Sequence, residues 1–576
     1  MKTNPFWMRP NESRWLAGAL IISLVSFAFH ASFDYLGSAR LAVSGVLLLV
    51  LQAVWLFYCP ALRERDLGKD PETRSLAINV LTIILCVVLV AIYSYRLMAP
   101  GPWSEEVWWT EQAREILAGT RIHPIGFKGD HPANFFAWPV AFFLWLTGDG
   151  LFSTRLPGIF YALITAWLVG VSGARLTGAP RLLLVVLPAL SISSLHFSRS
   201  GWNEITAAPI LIAFQIYALI ALLTDNRQRS LWLLGVAAGL GFSTLYTAFF
   251  FSLIIIGFVI CMRPAILSWR KKLIILAAFA LVAAPTFGKV IKYPHLSLGR
   301  HVEWAKGGEW GNHFDSNRQP LPTYVRTSES IVKHIMPSLT ASPGRDLMEI
   351  NLEPTSFVLF IIGFLGLWRV AAVRCSLCTY GGLIGMFLGL VLSNTEVSRW
   401  RELSLFPLVM LFVVVGLGLI WRLLSARPHL RTGLIAVVLA LHFGFLGERY
   451  FGTQWGYFGH EASQRAKDIF DKMASIQPTP KRFYVADSEN GLFFRYMRAM
   501  NNSGTPLQKL SLKNEGGAQA VEGDSALAIP SLPETQQLSA SWDREALEKP
   551  ELVKKVEVMD PHGRPWGEIY VLSPAS

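Results

Sequence analysis

Over its first 450 or so residues the chain alternates long apolar runs with short charged interruptions, and then it changes character. Runs near 15–33, 40–58, 75–95, 155–173, 181–197, 206–224, 231–247, 248–263, 272–290, 355–371, 376–393, 403–423 and 432–447 each suit a membrane-crossing helix, for which roughly 20 apolar residues are needed. About thirteen spans are predicted. The stretch 231–263 fits two short spans with a tight turn near Thr247, or one long kinked helix. From 448 to 576 the sequence is much more polar, with strand-like stretches at 482–486, 526–530 and 568–572 and a helical pattern over 460–474. The pattern therefore predicts an all-α polytopic membrane protein with a small α/β C-terminal domain. Its divisions are an N-terminal two-span extension (1–74), a transmembrane core (75–447) and the domain (448–576).

Composition agrees: 52% apolar residues, 16% charged and a mean hydropathy of +0.39 belong to the membrane class and exclude a soluble multidomain chain. A formal charge of +12 would invite a nucleic-acid partner in a soluble protein, but here Lys and Arg sit in short loops between spans. Groups such as Arg63/Arg65/Lys69/Arg74, Arg263/Arg270/Lys271/Lys272 and Arg422/Arg427/Arg431 all fall on one side of the predicted bundle. That side is assigned to the cytoplasm, and no nucleic-acid partner is expected. The first apolar run lacks a small-residue cleavage site and reads as a retained span. An odd number of spans then puts two long loops, 96–154 and 291–354, outside together with the tail. Five scattered cysteines make no disulfide framework, and the lone Cys375/Cys378 pair lacks the second pair a zinc site needs.

The first long loop opens with a predicted helix over 103–119, which Ser104 can cap and Gly119 can end. Trp109, Ala113, Ile116 and Leu117 share one face of it, as in a helix lying at a membrane surface, while Glu111 and Glu115 point elsewhere. Glu105 and Glu106 fall in its first turn, where the macrodipole also favours acids. The segment Ala113-Arg-Glu-Ile-Leu-Ala-Gly119 follows, then His131-Pro132 before an aromatic-rich stretch to Trp138, and Arg155-Leu-Pro157. Later come His196-Phe-Ser-Arg199 with Glu204, and Arg399-Trp-Arg-Glu-Leu-Ser-Leu-Phe-Pro407. In this order the motifs resemble those of the GT-C glycosyltransferases, in the branch of the dolichyl-phosphate-mannose protein mannosyltransferases and lipid A aminoarabinose transferases. The resemblance covers most of 75–450.

The resemblance implies an inverting transfer of sugar from a polyprenyl-phosphate carrier to a lipid, glycan or protein acceptor, at the extracytoplasmic face of a bacterial inner membrane. Such a displacement needs a carboxylate near the acceptor hydroxyl and positive charge near the departing phosphate. Glu105 aligns with the family's catalytic Asp, one methylene longer, with Glu106 as second candidate. Arg155, Arg199, Arg399 and Arg401 are the implied phosphate ligands, since guanidinium groups bind phosphate in a bidentate manner, and Lys128 and His131 join them. Glu204 matches a second acidic position, where it could orient the acceptor or help hold a divalent metal ion. Aromatic and polar mixtures at 300–304 and 310–313 suit stacking on a sugar as well as an ordinary interfacial loop. Two other readings compete: a transporter or flippase of lipid-linked sugars, which should show mid-span charges or broken helices, and a catalytically inactive relative.

Overall fold

A backbone in lipid must satisfy its own polar groups, so each apolar run is expected to be helical. In the computed structural model every one of the thirteen is. The structure describes residues 10–32, 39–59, 76–94, 97, 104–120, 137–148, 150–199, 203–225, 228–243, 246–292, 352–392, 403–448, 461–477, 479–487, 497, 506–511, 524–530, 543, 553–559 and 565–573. Its helices are α1 (Pro10–Ser32), α2 (Ala39–Phe57), α3 (Leu76–Ser94), α4 (Ser104–Leu117), α5 (Ala137–Thr147), α6 (Leu151–Thr177), α7 (Arg181–Ala189) and α8 (Ile192–Arg199). They continue with α9 (Asn203–Asp225), α10 (Gln228–Phe242), α11 (Tyr246–Cys261), α12 (Trp269–Lys292), α13 (Pro354–Val370), α14 (Val373–Leu392), α15 (Phe406–Leu423) and α16 (Pro428–Leu446).

Among the described residues α1, α6, α9, α12, α15 and α16 are long and apolar enough to cross a membrane alone, and the bent pair α7–α8 makes a seventh if it is one span. Of the other apolar helices α2, α3 and α14 have 19, 19 and 20 residues, and α10, α11 and α13 are shorter. For example, α10 and α11 have 15 and 16 residues and rise only about 23 Å each. The expectation of thirteen full-length spans is thus met in the number of apolar helices and in part in their length. Residues 231–263 form two helices, as the two-span reading has it, with the break after Ser243.

At the centre lies α15, almost wholly buried between α13, α6 and α9. It crosses α13 so closely that a Cβ at Gly363 would run into the Phe412 carbonyl, and one at Gly416 into the Leu359 carbonyl. The outer helices instead turn large apolar side chains outward, among them Leu20, Leu24, Leu47, Ile83 and Val87, as lipid-facing surfaces do. The N-terminal pair is held together, and joined to α12, by polar contacts. The Trp15 and Trp55 indoles each donate to the other's carbonyl, Gln52 Nε2 donates to Leu281 O at 2.7 Å, and Glu12 pairs with Arg270.

The tail folds as a helix, α17 (Glu461–Ala474), on a five-stranded sheet: β1 (Arg482–Asp487), β2 (Leu507–Ser511), β3 (Ser525–Pro530), β4 (Val553–Met559) and β5 (Pro565–Leu572). Strand order is β2-β1-β3-β5-β4, with β1 parallel to β2 and β3, and β5 antiparallel to β3 and β4. Ala466, Ile469, Phe470 and Met473 repeat at helical spacing and pack onto Phe483, Val485, Ala526, Ala528 and Ile569 of the sheet. The same apolar cluster includes Val107 of α4 and Leu151 of α6. The domain is therefore seated on the two helices that carry the Glu106 and Arg155 motifs.

Candidate active site

The first turn of α4 and the first turns of α6 meet in a buried ion pair. Arg155 Nε donates to Glu106 Oε1 at 2.8 Å and Nη2 donates to Oε2 at 3.0 Å, and neither side chain has any exposed surface. Thr154 Oγ1 gives the carboxylate a further hydrogen bond at 3.0 Å, and Arg155 Nη1 donates to Leu97 O at 2.6 Å. Burying two opposite charges costs several kcal/mol per ion, and such a pair persists only with good geometry and satisfied residual hydrogen bonds. This one has both. It ties the end of the α3 segment, α4 and α6 together.

The structure buries Trp109 and Ala113 of the expected face of α4, with Ile116 packed beside them, and adds Glu106; Leu117 departs from it. Glu106, Trp109, Thr110 and Ala113 are buried, while Leu117 at the helix end is about half exposed. The ion pair draws the Glu106 side inward, and α4 packs against α5 and α6. Glu105 lies in the same first turn of α4, and its side chain is outside the described residues.

Elements carrying the other predicted residues converge on α6. Trp109 of α4, Ala137 of α5 and Ala207 of α9 form one apolar cluster with Tyr161 of α6 packed against it. Ala207 stands one turn after Glu204, and so the start of α9 lies beside the α4 turn after the two acids. The Glu204 side chain is itself outside the described residues. Arg199, 1% exposed, ends α8, whose last turn crosses α6 at Gly158. A Cβ at Gly158 would run into the Ser198 carbonyl oxygen, so glycine is what lets the two backbones meet three residues from Arg155. Lys128, His131, Arg399 and Arg401 lie outside the described residues, as do 300–304 and 310–313. Among the described residues no three His, Cys, Asp or Glu side chains come together as a metal site.

The sequence reading treats 181–197 as one span, and the structure breaks it. α7 ends at Ala189 and α8 starts at Ile192 with a 61° bend. Pro188 weakens the helix at that point, and Ser191 restarts it: its Oγ accepts from Ser194 N at 3.1 Å in the manner of an N-cap. Around the break sit Tyr93, Glu353 and His442, all buried and none of them singled out by the motifs. Two signals in the sequence mark such residues. Glu353 precedes Pro354 at the head of an apolar run, and His442 is an ionisable group inside one.

Comparison with known proteins follows this geometry. The sequence profile of the dolichyl-phosphate-mannose-protein mannosyltransferase family matches residues 130–287. That stretch includes His131, Arg155, Arg199 and Glu204 and leaves out Glu105, Glu106, Arg399 and Arg401. Among solved structures, ArnT from Cupriavidus metallidurans bound to undecaprenyl phosphate superposes with a TM-score of 0.53 at 13% identity, over 86% of this chain and 99% of that one. The same enzyme in the apo state gives 0.51 at 14% identity, over 86% and 98%. The chain shares its fold with ArnT. Among curated proteins none matches it by sequence. The structural likeness covers nearly all of ArnT and takes in more of this chain than the profile match does.

Proposed function

We propose that the protein is an inverting glycosyltransferase that moves a sugar from a polyprenyl-phosphate donor to an acceptor hydroxyl on the extracytoplasmic side of its membrane. The observation that carries the reading is the Glu106–Arg155 pair, which fixes the two-acid turn of α4 against α6 within a fold similar to that of an enzyme crystallised with undecaprenyl phosphate.

In this reading Glu105 is the general base. It takes the proton from the acceptor hydroxyl as that oxygen bonds to the anomeric carbon, the bond from that carbon to the phosphate oxygen breaks, and polyprenyl phosphate leaves on the opposite face. Arg199, Arg399 and Arg401, with Lys128 and His131, neutralise the charge growing on the phosphate. Glu204 orients the acceptor or helps hold a divalent cation. Glu106 and Arg155 hold each other, with the Thr154 hydroxyl and the Leu97 carbonyl as further partners, and act as the frame for these groups. The basic loops between spans support an active side away from the cytoplasm. Sugar identity and acceptor class are open to assay.

The test is transfer or release of radiolabelled sugar by purified protein given polyprenyl-phosphate mannose, glucose or aminoarabinose, for the native chain and Glu105→Gln, with and without EDTA. Turnover by the native chain that is lost in Glu105→Gln supports the assignment. Full activity in the variant overturns Glu105 as base. The bent α7–α8 pair favours a second reading, a flippase of lipid-linked sugars. Sugar-lipid translocation in proteoliposomes, undiminished in Glu105→Gln and without any transfer, would establish it.

A further inference from the structure

A break inside an apolar bundle leaves backbone groups that neither helix can satisfy. At 189–192 three distant side chains take them up. The Tyr93 hydroxyl, from α3, donates to Ala189 O and lies 2.8 Å from Ser194 Oγ. His442 Nε2, from α16, lies 3.0 Å from Leu190 O, and its Nδ1 lies 3.2 Å from Thr355 Oγ1. This set is satisfied when the imidazole carries its proton on Nε2 and accepts from Thr355 at Nδ1. Glu353, the N-cap residue of α13, accepts from Ile192 N–H at 2.6 Å.

Glu353 is the unusual member. It is 1% exposed, and its Oε2 has no hydrogen-bond partner among the described residues. A half-bonded buried carboxylate is an expensive way to satisfy one amide, for which a Ser or Asn would do. What a carboxylate adds is negative charge at the positive end of α8, the helix that carries His196 and Arg199. The far end of α8 has no slack, because its last turn abuts α6 at Gly158, three residues past Arg155. A change in how α8 starts is passed to where it ends.

We propose that Glu353 is a positioning residue, which with Tyr93 and the Thr355–His442 pair clasps the start of α8 and thereby sets Arg199, and the α9 start after it, against the Glu106–Arg155 frame. The clasp rests on the proposed role of Arg199 at the donor phosphate. It adds a determinant of donor affinity that touches no substrate.

The full chain in detergent, native and as Glu353→Ala, Glu353→Gln and Tyr93→Phe, each also in an Arg199→Ala background, is assayed for donor KM, kcat and direct binding of undecaprenyl phosphate. Thermal unfolding reports folding. The clasp predicts that Glu353→Ala raises donor KM and weakens lipid-phosphate binding about tenfold, with a smaller change in kcat. Glu353→Gln, which keeps an acceptor oxygen for Ile192 but loses the charge at the start of α8, recovers only part of the affinity. In the Arg199→Ala background Glu353→Ala has no further effect on binding. A folded Glu353→Ala protein with native donor KM, or losses that simply multiply with those of Arg199→Ala, overturns the clasp and leaves the proposed function standing. If Glu353→Ala does not fold, Glu353→Gln and Tyr93→Phe decide: native affinity in both overturns it. A native chain that neither binds undecaprenyl phosphate nor transfers sugar removes the proposed function and the clasp together.

Discussion

Removing either partner of the Glu106–Arg155 pair is the perturbation whose size follows most directly from the geometry. Glu106→Ala deprives two guanidinium N–H groups of their acceptor in a site with no exposed surface, while the Thr154 hydroxyl keeps the Leu151 carbonyl. Stranding one charge of a buried pair costs about 3–5 kcal/mol, because the survivor keeps its desolvation penalty and loses its compensation. Glu106→Gln keeps the shape but turns an amide NH2 toward N–H donors, so most of that loss is expected to remain. Arg155→Lys replaces a planar fork by a point charge and cannot hold both carboxylate oxygens in the same way. By contrast, Glu106→Leu combined with Arg155→Met removes both charges, and its stability should lie within about 2 kcal/mol of native, since apolar replacements of buried pairs are often neutral. Equilibrium unfolding in mixed detergent micelles measures the four proteins on one scale, and turnover is followed in parallel. The expected pattern is large losses in the singles, recovery of stability in the double, and low turnover throughout because α4 no longer holds its first turn in place. Single variants that cost less than about 1 kcal/mol, the value of an exposed pair, would refute the reasoning.

Three further outcomes are expected. Glu105→Gln should lower turnover by about 10²–10⁴-fold, the usual contribution of a general base, with the unfolding transition unchanged. Val107 and Leu151 join the apolar core of the tail domain, and Leu151→Ala should destabilise that seating by about 2–4 kcal/mol, read as faster proteolytic release of the tail. In the tail, Lys555 Nζ lies 2.6 Å from Asp543 Oδ1 and 2.7 Å from Glu568 Oε1, and the Tyr570 hydroxyl lies within 2.9 Å of both acids. Partial burial pushes the Asp543 carboxyl up, but hydrogen bonds from Lys555 and Tyr570 and the charge of Lys555 outweigh it and hold the group below the usual carboxylate range. Burial likewise pulls Lys555 down, and its bonds to Asp543 and Glu568 hold it above the usual lysine range. The depressed acid contributes stability that is complete above its unfolded value of about 3.9 and lost as pH falls through the lower folded one. The raised lysine contributes stability that is complete below about 10.4 and lost as pH rises through the higher folded value. Tail stability should therefore be flat from about pH 5 to 9, and Lys555→Met should weaken its decline in acid; an unchanged acid limb would count against this cluster.

The tail also shows how far patterning reaches. β1, β3 and β5 occupy the three interior places of the sheet, and their apolar runs announce them, with β3 buried along its whole length. β2 and β4 are the two edges, with the sequences Leu-Gln-Lys-Leu-Ser and Val-Lys-Lys-Val-Glu-Val-Met. An edge strand is kept soluble by lysines and polar residues, and those same residues erase the apolar signal by which a strand is read. The edge strands were therefore hidden by the property that keeps them from pairing with other chains.

The same logic applies to the site. Helices in lipid are written in long apolar runs, so the bundle was legible segment by segment, and the two acids on α4 and Arg155 stood out as charges flanking such runs. Their pairing did not. Residues 106 and 155 are separated by α5, and nothing in either local pattern says that a glutamate in a first helical turn faces an arginine in another; only packing brings them together. The break in 181–199 was masked for a related reason. Hydropathy counts apolar residues and is blind to whether a helix passes through Pro188 straight or restarts at Ser191, and the groups that make the restart possible, Tyr93, Glu353 and His442, come from three other helical segments. Charge placed beside an apolar run thus marks where polar chemistry sits, while the partner of that charge is a property of the fold. This separates the two acids of α4: Glu106 has its partner in Arg155, whereas the base role proposed for Glu105 depends on substrate and has to be read from turnover.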